Sequence, residues 1–338
     1  MDTQEWDIGD GSTPECFYLW PTEGELVALV DADLIPYRIG HCIAEESLHE
    51  ALLLVEEGKV SNVLDTPQCQ EAINRVDFEI NKWVEGSGAD AAKLYLTDCP
   101  NQLRYDLAYE KGYKSGRVLE KPPFFYEMKE HIRVKHKAVY CTEYEADDGM
   151  AIEQFQATEE LAELPTEPAK QVFAGTVIVS VDKDLRIIRG WHYNPVTLIK
   201  DWVTKIGSLT PVYKEDSNIM KKLDGSGLLF FYSQIITGDA VDTYGGLKGA
   251  GMKKAYDSLN GLKTEEDMYY TVLSLYKDKY KERQPIQSFE GRWRDLSPLE
   301  RMITQGRLAW MQTQPNEIWR EAKNKLILRS DPKWRDKK

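Results

Sequence analysis

The run ELVALVD at residues 25–31 is short, apolar from Leu26 to Val30 and closed by an aspartate. Two later runs, KLYLTD at 93–98 and TVIVSVD at 176–182, share that form. A short apolar stretch without polar alternation suits a strand buried on both faces, as in a parallel sheet. Helical segments at about 42–57 and 68–84, split by Ser61, Asn62 and Pro67, separate the first two runs. A third strand, KAVYC at 137–141, and a helix from about Glu145 precede the last run. This alternation predicts an α/β fold with a central, mostly parallel sheet and helices on both faces. In such sheets the ligand site lies beyond the carboxyl ends of the strands. Asp31, Asp98 and Asp182 are therefore expected on one rim. A single strand-ending aspartate can equally cap the next helix, but three together point to a site.

Beyond about Leu228 the pattern turns helical, with helices expected near 228–236, 250–259, 265–276 and 298–310. The organisation predicted is an N-terminal arm (1–24), an α/β core (25–227) with a basic segment at about 104–136, and a helical region (228–338). At 338 residues the chain can bury a large core. No apolar run approaches the roughly 18–20 residues of a membrane span, and the acidic, polar N-terminus fits neither a secretory signal nor a transit peptide. The cysteines at 16, 42, 69, 99 and 141 are odd in number and never C-x-x-C. They suit reduced thiols in a cytoplasm rather than disulfides or a zinc knuckle. A monomer is expected.

The formal charge of -13 would argue against a polyanionic partner if it were evenly spread. It is not. Residues 101–137 hold six lysines and three arginines against five acids. The tail WREAKNKLILRSDPKWRDKK is also basic and reads as a solvated end, whereas EQFQATEELAELPTEP (153–168) reads as an exposed acidic loop.

Five acidic clusters carry the chemistry: VDAD (Asp31, Asp33), YLTD (Asp98), EYEADD (Glu145, Asp147, Asp148), SVDKD (Asp182, Asp184) and TGDAVD (Asp239, Asp242). None is specific singly, and acids in a first helical turn simply suit the macrodipole. Their joint placement is another matter. Glu145 and Asp148 are three apart and share a helical face. Asp182 and Asp184 flank one residue just past a strand. Two carboxylates at ~5 Å repel by roughly 3 kcal/mol at an effective dielectric near 20, so such a cluster needs cations or protons. All-oxygen ligands select Mg²⁺ or Mn²⁺ over zinc, and the surplus of carboxylates predicts two ions.

The last acids run into GLKGAGMKKA, which has the glycine spacing of a helix–hairpin–helix. Gly246, Gly249 and Gly251 would let backbone N–H groups meet a phosphate at a helix N-terminus, with Lys248, Lys253 and Lys254 beside it. A tight turn or helix cap is the plainer alternative. In NQLRYDLAYEKGYKSGR, tyrosines interleave with Arg104, Lys111, Lys114 and Arg117. Tyr105 and Tyr109 read as a core-facing pair, and Tyr113 as the residue placed to stack on an unpaired base.

In order, the blocks LVDAD, LYLTD…LRYD…YKSGR, EYEADD, SVDKDL and TGDAVDTYGGLKGAGMKKA span about 27–255. They resemble the 5′-nuclease family: the N-terminal domain of bacterial DNA polymerase I, flap endonucleases and the 5′→3′ exonucleases of T-odd phages. MITQGRLAWM resembles a segment of the phage enzymes, which implies a phage protein of DNA replication or degradation. The resemblance implies a PIN/5′-nuclease-like fold. Glu145, Asp147 and Asp148, with Asp31 and Asp98, would surround a first metal ion, and Asp182, Asp184, Asp239 and Asp242 a second. Lys114, with Arg117 or Arg104, would neutralise the scissile phosphate, and the basic segment would arch over a free 5′ end. The glycine loop would hold the duplex backbone and a K⁺ ion. Asp33 would stand behind the ligands. The family's Asn and Pro after the first loop aspartate are replaced here by VDTYGGLKG, so a different loop shape is expected. The activity implied is a Mg²⁺- or Mn²⁺-dependent 5′→3′ exonuclease, with flap-endonuclease and RNase H-like forms, on DNA bearing a 5′ end, nick or flap. The alternatives are a non-catalytic DNA-binding protein of the same fold, a related metal-dependent ribonuclease and a small-molecule phosphatase.

Overall fold

In a computed structural model of the chain, residues 25–98, 102–116, 120–159, 161, 164, 166–215, 217–319, 327 and 328 are described. The N-terminal arm, Arg117 and most of the basic tail lie outside them.

The strands β1 (Val27–Asp31), β2 (Ala91–Thr97), β3 (Val139–Cys141), β4 (Thr176–Val179), β5 (Gly190–Asn194) and β6 (Ile199–Val203) form one sheet in the order β3-β2-β1-β4-β5-β6. All neighbours are parallel except β5 and β6. Every residue of β1 is buried. Val27 and Leu29 face one apolar cluster and Ala28 and Val30 the other, so a wholly apolar run serves both faces of a central strand.

One face is covered by α1 (Leu34–Gly40), α2 (Glu45–Glu56), α3 (Pro67–Ser87) and, after the short α4 (Gln102–Leu107), by α5 (Phe125–Lys135). The start and stop of α3 are written locally. The Thr66 hydroxyl accepts from the Cys69 N–H at 3.3 Å, Pro67 fills the first turn, and Gly88 closes the helix at φ 69°.

The other face is covered by α6 (Ala146–Glu159) and, beyond α7 (Glu167–Phe173), by α8 (Gly227–Thr237). The helices α9 (Met252–Leu259), α10 (Glu265–Tyr280) and α11 (Pro298–Ala309) extend the same apolar cluster. Residues Gly227–Ile236 of α8 are all buried, as expected for a helix apolar on every side. A capping box between Ser297 and Glu300 starts α11.

Several expectations are corrected. Residues 153–168 are not one exposed loop: α6 runs to Glu159 with Gln154 fully buried, and α7 begins at Glu167. The Gln154 side chain bridges Thr176 and the Trp191 carbonyl at 2.7 and 2.8 Å, so an internal polar network holds this end of α6. The third apolar run ends as a strand at Val179, which leaves Asp182 beyond it. Two ribbons interrupt the expected pattern, β7 (Ser208–Tyr213) with β8 (Met220–Ser226) and β9 (Gln284–Gln287) with β10 (Trp293–Leu296). Among the described residues no helix is long and apolar enough to cross a membrane, and Cys42, Cys69 and Cys141 are free thiols.

The chain leaves β1 towards β2 on one side, and β4 lies on the other. The direction of winding therefore reverses between β1 and β4, and a crevice opens there at the strands' carboxyl ends.

Candidate metal and phosphate site

That crevice is where the acids gather. Asp31 ends β1, and its Oδ2 accepts from the Ser180 hydroxyl at 2.8 Å, just past β4. The same hydroxyl accepts from the Asp182 N–H at 2.9 Å, and Asp182 Oδ1 accepts from the Asp184 N–H at 2.8 Å. Ser180 thus ties the ends of two strands into one acidic turn. Asp147 enters from the first turn of α6, whose leading N–H is held by the Thr97 hydroxyl at 2.9 Å. Asp239 and Asp242 arrive on the loop after α8. Asp239 and Tyr244 exchange backbone hydrogen bonds across that loop, and Asp239 Oδ1 accepts from the N–H groups of Val241 and Asp242 at 2.7 and 3.2 Å.

The groups repel one another and resist ionisation. Burial, then the charges of Asp33 and Asp182, push the Asp31 carboxyl up to about 8. Burial and Asp182 push Asp184 up to about 7. Asp147 is held well above the usual carboxylate range by burial and by Asp31, Asp182 and Glu145, and Asp182 is raised by burial, with Asp242 adding to it. Asp239 moves the other way: burial opposes its charge, but the hydrogen bond and charge of Lys183 and the N–H groups of Asp242 and Val241 together outweigh this.

Two lysines lie among the acids. Lys114 donates to Glu145 Oε1, and its N–H donates to the Asp242 carbonyl at 3.1 Å. Its backbone is left-handed at φ 52°, an uncommon conformation for a residue with a Cβ. Burial works against the Lys114 charge, yet Glu145 and Asp242 keep its pKa above the ordinary value. Lys183 donates to Asp239 Oδ2 and lies 3.9 Å from Asp184.

The carboxylates form a string along the crevice, not a tight cage. Among the described residues, no three of them bring oxygens within 4.8 Å of one another. Mutual repulsion and the intervening lysines account for that spacing. The donor set is all oxygen and largely kept from water, which fits a hard dication of the Mg²⁺ class. The Tyr244 hydroxyl is buried beside Asp184, Asp239 and Asp242 with no hydrogen-bond partner.

Other expected site residues fall elsewhere. Asp148 is fully buried and faces away from the string, bonded to Arg104 at 2.7 and 2.8 Å and to Gln312 at 3.0 and 3.1 Å. Arg104 is 2% exposed, held by Asp148, Glu145 and the Trp310 carbonyl, and no phosphate can reach it. Asp98 is exposed on the outer side of β2, paired with the Tyr140 hydroxyl. The tyrosines are reversed. Tyr113 is 3% exposed with its hydroxyl 3.0 Å from Asp242, so it cannot stack on a base, whereas Tyr105 is 40% exposed and meets Tyr113 edge-on. Tyr109 is held by the ribbon β9–β10, donating to the Arg292 carbonyl at 3.0 Å. Asp33 was expected behind the ligands; it accepts from the Thr97 N–H at 2.9 Å, pairs with Lys129 at 3.4 Å and repels Asp31 directly. Lys183 was missed, and the lysine inside DKD was its only signal.

The glycine loop lies between α8 and α9. Gly238 and Gly246 meet backbone to backbone, both at positive φ, and a Cβ on Gly246 would lie 2.3 Å from the Gly238 nitrogen. Gln305 of α11 accepts from the Gly246 N–H at 2.8 Å. These contacts make Gly246 a packing residue. Lys248, Gly249, Gly251, Lys253 and Lys254 are exposed. Helix α9 begins at Gly251 with no side-chain cap and no acid in its first turn, which leaves its N–H groups and dipole open to an anion.

No family model matches the chain. In sequence it is similar to DNA polymerase I of Lactococcus lactis subsp. lactis (strain IL1403), 28% identical over 177 residues. The match takes in 50% of this chain and only 18% of the polymerase. In structure the chain is similar to the bacteriophage T5 5′-exonuclease with divalent metal ions (zinc) bound, at TM-score 0.42 and 15% identity over 74% of this chain and 88% of that one. It is likewise similar to the bacteriophage T5 flap endonuclease in a complex with DNA and metal ions, at TM-score 0.42 and 14% identity over 74% and 88%.

Proposed function

We propose that the chain is a divalent-metal-dependent nuclease that hydrolyses DNA from or near a 5′ end, by exonuclease or flap-endonuclease action. One observation carries the reading. Asp31, Asp147, Asp182, Asp184 and Asp242 line the crevice at the reversal point of the sheet, with Lys114 among them and the glycine loop beginning four residues past the last acid. Mutually raised carboxyls and an exposed, uncapped, basic helix start have one use in common, a phosphodiester held against cations. A sequence relative of the DNA polymerase I kind agrees with that use.

In this reading Asp31, Asp147, Asp182, Asp184, Asp239 and Asp242 hold Mg²⁺ or Mn²⁺ at two positions. The ions, when bound, lower the pKa of water and draw charge from the phosphate oxygens. Glu145 and Tyr113 position Lys114 and the Asp242 loop. The Lys114 ammonium, kept charged by Glu145 and Asp242, supplies a cation at the phosphate. Arg104 and Asp148 act through the frame, locking α4, α6 and the exit of α11 together. Lys248, Lys253, Lys254 and the open N-terminus of α9 grip the duplex backbone by charge and shape, not by sequence. A K⁺ ion at that loop, action as a monomer in a cytoplasm and a phage role belong to the same proposal.

The test is direct. Purified chain is incubated with 5′-labelled and 3′-labelled duplex, nicked and flapped DNA, with Mg²⁺ or with EDTA. Release of short 5′-labelled products in Mg²⁺ alone is expected. Binding without cleavage in both would favour a non-catalytic DNA-binding protein, and cleavage of a labelled RNA strand run in parallel, with the DNA left intact, would favour a ribonuclease.

A further inference from the structure

Outside the crevice, the described residues contain one set of three metal-ligating side chains with donor atoms within 4.8 Å of one another. Asp77 projects from the middle of α3. Its Oδ1 meets His131 Nε2 at 2.8 Å and His136 Nε2 at 2.5 Å. The chain builds this convergence by ending a helix. On an uninterrupted helix, side chains five apart point about 140° away from each other. Here α5 stops at Lys135, and His136 occupies the C-cap position at φ -89°, ψ 3°, which turns its imidazole back onto the same carboxylate. The two rings stand 5.4 Å apart at 75°, edge to face, with their Nε2 atoms aimed at one point. The His136 side chain has no solvent exposure, and that of His131 has 13%.

We propose that Asp77, His131 and His136 form a binding site for a borderline transition-metal dication of the zinc class, separate from the nuclease crevice. Two imidazoles and one carboxylate are a donor set such ions favour and Mg²⁺ does not. Zinc bonds to nitrogen and carboxylate oxygen of about 2.0–2.2 Å put neighbouring tetrahedral ligands about 3.3 Å apart. The donor pairs at 2.5 and 2.8 Å need only small side-chain rotations to open that far. Lys135 already holds the other carboxylate oxygen, Oδ2, at 2.8 Å, so Oδ1 stays turned towards the imidazoles. Such outer hydrogen bonds orient ligands in metal sites. The partly exposed His131 side leaves a fourth position to water.

The ion would staple α3 to α5. Helix α5 carries Lys129, which reaches Asp33 at 3.4 Å and the Thr97 carbonyl at the rim of the crevice. The staple therefore steadies one wall of the crevice without touching the reacting groups, and it stands whether or not the chain cuts DNA.

The probe is Co²⁺, whose visible bands are intense in four-coordinate nitrogen-containing sites and faint in six-coordinate oxygen sites. Full-length chain and its Asp182→Asn variant are titrated with CoCl₂. One equivalent giving intense bands is expected in both. His131→Gln keeps an N–H to donate to Asp77 but not an imidazole, and should weaken that binding by more than about 100-fold. Absence of intense bands in the unaltered chain overturns the proposal, as do bands of equal strength in the unaltered chain and its His131→Gln variant. X-ray absorption of the zinc-loaded chain reads the ligands without any substitution. A shell with two imidazoles supports the site, and an oxygen-only shell overturns it.

Discussion

Arg104 grips both oxygens of Asp148, at 2.7 and 2.8 Å, in a pocket where neither side chain meets water. A third contact, to the Trp310 carbonyl at 2.6 Å, ties the pair to the chain leaving α11. Bidentate geometry with further hydrogen bonds to both partners is the condition under which a buried ion pair holds. Arg104→Ala should therefore destabilise the fold by about 3–5 kcal/mol, because it strands the Asp148 charge. Asp148→Asn should cost less, since an amide still accepts from Arg104. Urea unfolding of both variants measures this. Full stability with lost turnover in Arg104→Ala would move the arginine from frame to chemistry.

Asp147→Ala and Asp182→Ala should act in opposite senses on turnover and on metal-free stability. Each removes a charge that its neighbours oppose, so melting in EDTA should rise slightly. Turnover in Mg²⁺ should fall by on the order of 10²–10³-fold or more, as when one electrostatic group is removed from a reacting centre. Gel-shift affinity for flapped DNA should stay near that of the unaltered chain. Parallel loss of affinity and turnover would argue against metal chemistry at these positions.

The raised carboxyls also fix a pH dependence. Asp31 and Asp184 move from 3.8 to about 8 and about 7 on folding. Above 3.8 the unfolded chain has released these protons while the folded chain keeps them, so stability falls as pH rises through the folded values. His192 works the other way below 6.5: burial lowers it to about 4, and its stabilisation is lost on acidification. The clear window is therefore roughly pH 6.5–8. Melting temperature in EDTA should drop across it, Asp31→Asn should flatten the drop, and Mg²⁺ should raise the melt more at pH 8 than at pH 6.5. A flat profile in EDTA would mean the acids are not mutually raised.

How legible the site was depends on what each residue answers to. Asp31 and Asp182 could be read because apolar runs fix where a buried strand ends, and the sheet's winding then puts those ends together. Asp148 could not. Its spacing from Glu145 gives a shared helical face, but the direction of that face is set by Arg104 and Gln312, 44 and 164 residues away in the chain. Tyr113 was misread for a similar reason: a glycine break suggests exposure, while the Asp242 carboxylate and the Glu145 side of α6 bury it. The ribbon β7–β8 and the edge strand β6 carry no apolar run because most of their residues stay exposed or half-exposed. The Asp77 pair of histidines left only a five-residue spacing that a continuous helix would have made meaningless.

The glycine loop separates packing from grip. Gly246→Ala should unfold the loop, because the left-handed backbone at φ 61° and a Cβ 2.3 Å from the Gly238 nitrogen leave no room to relax. Gly251→Ala meets no atom within 4 Å, so its effect is confined to the approach of a phosphate to the start of α9. Lys253 has an ion-pair partner in Asp257 at 2.9 Å, a fully exposed contact that DNA can displace. A Lys253→Ala, Lys254→Ala double variant should fold normally and bind all duplex sequences more weakly. Its plot of log affinity against log salt should lose about 0.9 of slope for each phosphate contact removed. An unchanged slope, measured by fluorescence anisotropy on nicked duplex across a salt series, would place the duplex elsewhere on the protein.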